Sequence, residues 1–207
     1  MAMSNPAKAG TALLVGGVEF TIVWFLSETL YPSYSVNSNY ISDLGTTCPG
    51  NGAACYVPPA WWLFNLSEVV CGILILVTAY FFYRAYRYKP ATAIIGVAGF
   101  ALILVGILNE SFSPWHGIFS LITFTFIGLA AIVTFRFQRP PLSYFSVLMG
   151  VVSLISLVLF APDDGVSFGA AIGIGPGGLE RLIVYPILLW AVGFGGYLIG
   201  QEDVKKV

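Results

Sequence analysis

The chain has 207 residues, of which 57% are hydrophobic and 9% charged, with a formal net charge of −1. A soluble domain of this length could not keep that balance in water, so the composition excludes a cytosolic globular protein and points to an all-α integral membrane protein. No basic stripe exists beyond residues that would set membrane orientation, which excludes nucleic acid as a partner.

Crossing the hydrocarbon takes about 20 apolar residues per helix. Six stretches qualify, at 10–30, 60–83, 91–109, 115–135, 142–160 and 181–200. They predict a single domain over 1–207, a six-transmembrane-helix bundle with no soluble part. The first stretch is too long for a signal-peptide core, carries Glu19 and has no small-x-small site after it, so a retained first helix is expected. Pro6, Pro59, Pro114 and the Pro140-Pro141 pair suit helix starts, with Ser4 or Asn5 and Ser113 as caps, whereas Pro32, Pro90 and Pro162 suit helix ends. Pro186 falls inside the last span and should kink it.

Basic residues near helix ends mark the cytoplasmic face. Lys8, Arg84, Arg87, Lys89, Arg136, Arg139, Lys205 and Lys206 all fall at alternate ends, which predicts a multi-pass protein of the cell membrane with the N-terminus and C-terminus cytoplasmic. Arg181 is the one basic residue expected outside.

After the first span comes a long outer loop in which Cys48 and Cys55 flank Pro49, Gly50 and Gly52. In an oxidising compartment this pair is expected to form a disulfide, contributing about 2 to 3 kcal/mol by the loop-entropy model. Cys71, in the second span, is expected as a free thiol.

Two carboxylates fall within the hydrocarbon, Glu19 and Glu68. Intramembrane charges are costly and usually face the bundle interior. Because the first two helices run antiparallel, the pair could share a proton; the alternative is a protonated Glu bonded to a backbone carbonyl, Ser67, Thr21 or Tyr80.

The outer helix ends supply a second group: Glu28, Tyr31, Asp43, Asn109, Glu110, His116, Asp163, Asp164, Glu180 and Arg181. His116 opens the fourth span and reads either as a general base or as an interfacial histidine bonded to the short turn before it. One His without a partner at ligand spacing is no zinc signature, so no metal and no cofactor are expected. Arg181 at a helix start suits an anion such as a lipid phosphate, or an ion pair with Asp43, Asp163 or Glu180. Ser42, Ser111, Ser113 and Ser120 lack a nucleophile-elbow pattern. The glycine-rich stretch 167–178 reads as a lid, a shallow re-entrant turn or a plain connector. Gly193, Gly196 and Gly200 form a small-residue stripe, for contact within the bundle or for a homo-oligomer face.

Three stretches together carry a resemblance: Asn39-Tyr40-Ile41-Ser42-Asp43-Leu44-Gly45, His116-Gly117 and Gly178-Leu179-Glu180-Arg181-Leu182. The chain resembles the prokaryotic membrane family catalogued as domain of unknown function 998. The resemblance implies a six-helix fold without an established activity, and places Asn39, Ser42, Asp43, Gly45, His116, Glu180 and Arg181 in the outer layer. The cysteine loop does not match its pattern.

The expected arrangement is an outward-facing polar cavity with Asp43, Glu110, His116, Glu180 and Arg181 at its mouth. It would bind a small molecule or lipid head group for sensing or transport, among membrane lipids as partners. The alternatives are a membrane-embedded hydrolase or transferase, with His116 as base, Asp43 orienting it and Arg181 holding phosphate, and a non-catalytic accessory subunit.

Overall fold

The structure is a computed structural model that describes residues 3–49 and 51–201. Lys205 and Lys206, and Gly50 of the cysteine loop, lie outside the described residues. The described residues are helical with no strand, save one isolated antiparallel bridge between Thr47 and Tyr56.

Six helices are long and apolar enough to cross a membrane. Helix α1 (Asn5–Leu30) starts where the Ser4 side chain accepts from Ala7 N, with Pro6 in the first turn. It begins earlier than residue 10 because a capped polar turn adds helix without adding hydropathy. Helix α2 (Trp61–Tyr86) ends at Arg87, whose φ of 53° stops the helix in the left-handed region. Helix α3 (Lys89–Ile107) follows almost at once with Pro90 in its first turn, so this proline starts a helix instead of following one. Helix α4 (Trp115–Val133) continues into a 3-10 turn, Thr134–Phe137. Its cap position is Pro114, and the expected cap Ser113 makes no such bond. Helix α5 (Leu142–Phe160) leads to the short α6 (Val166–Ala171) and then to α7 (Gly175–Ile199), which contains Pro186.

The six long helices form a ring in which α1, α2, α3, α4, α5 and α7 each pack on the next, and α7 closes back on α1. Close approach at three of these seams uses paired glycines. A methyl group on Gly10 of α1 would run into the backbone of Gly195 on α7, and the same holds for Gly72 with Gly99 and for Gly150 with Gly128. Removing Cβ lets the helix backbones come together, where dispersion contacts hold a membrane bundle. The glycine of α7 at its seam with α1 is thus Gly195; in the expected stripe, Gly193 and Gly196 meet only side chains at ordinary distance, and Gly200 meets only the carbonyl of Tyr197 on its own helix. The seam between α4 and α7 differs, since these two helices touch only lightly and α5 packs against both.

Among the described residues, the first and last of the chain and most of the basic residues share one end of the ring. Ser4 Oγ donates to Gln201 O at 2.6 Å, Lys8 lies over the Phe81 ring, and Arg136 donates to Tyr88 OH at 2.7 Å. The opposite, acidic end carries the loop between α1 and α2, with a 3-10 turn at Ser42–Leu44. Cys48 and Cys55 lie at disulfide distance, 2.06 Å between sulfurs, and Cys71 is free and buried.

Candidate functional site

The acidic end is built by neighbouring residues on α7 that grip one loop in complementary ways. Glu180 accepts the Ile41 N–H, while Arg181 donates to the carbonyls of Val36 and Asn39, each at 3.1 Å, and of Gly177 at 2.9 Å. Its other terminal nitrogen reaches Glu28 Oε1 and Tyr34 OH, both at 2.7 Å. Trp24 and Tyr34 present their rings to the same guanidinium, at 5.6 and 5.5 Å. Arg181 is therefore occupied by protein acceptors, and its ion-pair partner is Glu28 of α1 and none of Asp43, Asp163 or Glu180.

Glycines make this grip possible. Gly177 lies against the Val36 and Asn39 carbonyls, and Gly175, at φ 69°, lies against Asn37. Gly177 N also donates to Asn37 O at 3.0 Å. The glycine-rich stretch is held rather than free: it forms α6 and the first turn of α7, seated against the loop.

Asp43 organises the loop from within. Its Oδ2 accepts from Asn39 Nδ2 at 2.8 Å and from Tyr40 N at 3.0 Å. Burial pushes its carboxyl above the usual range, opposed by those two hydrogen bonds. Ser42 Oγ donates to Glu110 at 2.7 Å, and Cys48 N donates to the other oxygen of that carboxylate at 3.3 Å. Burial raises Glu110 to about 7, opposed by the Ser42 bond and assisted by nearby Asp43. Burial likewise lifts the Tyr40 phenol to about 12. Gly45 packs closely on α2: a methyl group there would meet Asn65 Oδ1, so the Asn65 side chain would have to shift.

Beneath the loop lies a cavity of about 100 Å³ between α1, α2, α3, α4 and α7. Ile41 and Ser42 roof it. Leu13, Phe20, Ile75, Leu102 and Ile187 line its walls, so it is apolar over most of its surface instead of polar. The polar groups on it are few: Ser42, Glu68, His116, Ser120, Thr123 and Glu180. His116 Nδ1 lies 2.8 Å from Leu108 O. A carbonyl can only accept, so Nδ1 carries a proton and Nε2 is the acceptor of the neutral ring. This is the interfacial arrangement, with the ring fixed to the turn before α4.

The intramembrane carboxylates part company. Glu68 faces the central cavity, while Glu19 lies in a groove on the outer flank of α1 with Leu14, Val18 and Ile22. No hydrogen bond joins them among the described residues. Nor is there a cluster of metal-ligating residues among those residues.

The residues of two of the three motif stretches form one fastening, while His116 of the third is tied to Leu108 O instead. Asn39 and Asp43 fold the loop, Glu180 and Arg181 hold it, Ser42 ties it to the turn after α3, and Gly45 seats it on α2. A family model described as "Protein of unknown function (DUF998)" matches residues 14–197. The chain belongs to this family. The DUF998 match runs from α1 into the last turns of α7 and so takes in the loop, its fastening and the cavity. Comparison with curated proteins and with solved structures returns no match.

Sequence reasoning set Glu28 in the outer layer without making it the partner of Arg181, and it did not place Trp24 or Tyr34, which with Glu28 surround the Arg181 guanidinium. A usable signal existed for Trp24 with Glu28. Trp24 and Glu28 are one helical turn apart, and Trp24 Nε1 donates to Glu28 Oε1 at 2.9 Å.

Proposed function

We propose that this DUF998 protein holds one small amphiphilic molecule between its helices, for sensing or transport in the cell membrane. The observation that carries this reading is the cavity itself: five helices surround it, its walls are apolar, and only a few polar groups interrupt them. Such a space matches a molecule with an apolar body and one polar end. By the distribution of Lys and Arg, the basic end faces the cytoplasm and the loop faces outward. Asp43, Glu110 and Arg181 then act by holding the roof in place, while Glu68, His116 and Glu180 face the ligand.

A hydrolase is favoured less. Ser42 Oγ is committed to Glu110 and His116 Nδ1 to Leu108 O, so neither is set as a nucleophile with its base.

Native mass spectrometry tests the binding reading. The purified protein should carry an amphiphile at one equivalent, and Val184→Trp, which fills the cavity from α7, should lose it. A wild-type protein free of any bound species, or equal retention by the variant, overturns the proposal.

A further inference from the structure

We infer that the polar end of the bound molecule is a protonated amine, received by Glu68. This deepens the cavity reading above and rests on it. Glu68 is 6% exposed, faces the cavity and makes no hydrogen bond to any described residue. Thr123 Oγ1, on the same cavity, is buried without a partner. A carboxyl that faces a cavity without a hydrogen bond, beside a hydroxyl buried without one, suits a polar group that enters from outside the chain.

The charge of the surroundings selects that group. Two carboxyls, Glu68 and Glu180, line the cavity, and Glu110 sits just beyond its roof on Ser42. No Lys or Arg lines it. Arg181, adjacent in sequence to Glu180, spends five hydrogen bonds on Val36, Asn39, Gly177, Glu28 and Tyr34. A phosphate or carboxylate head would therefore enter an acidic, low-dielectric space with no cation to meet it, which is unfavourable. An ammonium meets the opposite situation. It donates up to three hydrogen bonds, which Glu68, Thr123 Oγ1 and Glu180 can accept, and it pairs with a carboxyl that has no other hydrogen-bond partner among the described residues. The free space is of the order that takes a molecule of benzene size, so a short alkyl or aryl amine fits better than a long chain.

Three probes of equal length separate the possibilities: hexylamine, 1-hexanol and hexanoate, titrated at pH 7 into the protein in phosphatidylcholine nanodiscs, with thermal unfolding as the readout. Hexylamine should stabilise at concentrations about tenfold lower than 1-hexanol, and hexanoate should not stabilise at all. Glu68→Gln should remove the preference for the amine, so that hexylamine no longer acts at lower concentration than 1-hexanol. Equal responses to the three probes, or a preference for hexanoate, overturn the amine assignment while leaving the cavity reading intact. An amine preference that survives in Glu68→Gln overturns the role of Glu68. If no probe stabilises the wild-type protein, both readings fall. The wild-type ranking decides the ligand class even if the variant does not fold.

Discussion

Arg181 of α7 and Glu28 of α1 meet at 2.7 Å, with Arg181 2% exposed and Glu28 17%. The pair joins the last helix to the first at the acidic end, and further hydrogen bonds hold it: Trp24 Nε1 shares the Glu28 oxygen, and three backbone carbonyls share the guanidinium, whose Nε is buried without a partner among the described residues. Breaking a buried pair leaves one charge without its partner. Arg181→Ala is expected to cost about 3–5 kcal/mol in denaturant unfolding in detergent micelles. Arg181→Lys should recover only part of this, because an ammonium cannot span five acceptors in one plane. Full stability of Arg181→Ala would show that the fastening is incidental.

The glycine seams make a sharper contrast. Gly10→Ala places a methyl group against the Gly195 carbonyl, which must move, so a loss of about 1–3 kcal/mol is expected. Gly196→Ala, one residue from the contact, should stay within about 0.5 kcal/mol of the parent. Equal effects in thermal unfolding would mean that the α1–α7 approach does not depend on Gly10.

Glu110 sets a pH dependence whose sign is fixed. Its carboxyl has an ordinary value of 4.5 and is raised to about 7 in the folded protein, chiefly by burial. The folded state therefore favours the protonated form. The stability this contributes is fully present below pH 4.5, declines between 4.5 and about 7, and is gone above that. Asp43 is raised in the same direction, so the wild-type curve contains both. Glu110→Gln should flatten the part between pH 5 and 7 when unfolding midpoints of the two proteins are compared; parallel curves would remove the assignment.

Orientation is open to direct labelling. With Arg87→Cys at the basic end and Ser167→Cys at the acidic end, a membrane-impermeant maleimide applied to intact cells should label only the second. Arg87→Cys should react after permeabilisation. The reverse pattern would invert the protein in the membrane.

The six spans were legible because hydropathy follows from the cost of placing polar groups in hydrocarbon. Helix ends were less so. Asn5 to Lys8 adds a polar turn to α1, and Gly175 to Glu180 adds a glycine-rich turn to α7 that intrinsic propensity disfavours and loop packing holds in place. The acidic layer could be read from charge and topology, yet pairing within it could not. Arg181 and Glu28 are 153 residues apart, and nothing in the spacing distinguishes Glu28 from Asp43 or Asp163 as partner. Cavity polarity was hidden for the same reason. Counting charged residues near a mouth does not say that the loop absorbs most of them, leaving Leu102, Phe20 and Ile187 to face the space beneath.

The grip of α7 on the loop between α1 and α2 also sets an order of events. Val36 and Arg181, which it joins, are 145 residues apart, so the loop is synthesised early and the residues that hold it come late. While the chain is being made, the roof over the cavity therefore has no anchor until α7 has packed against α1.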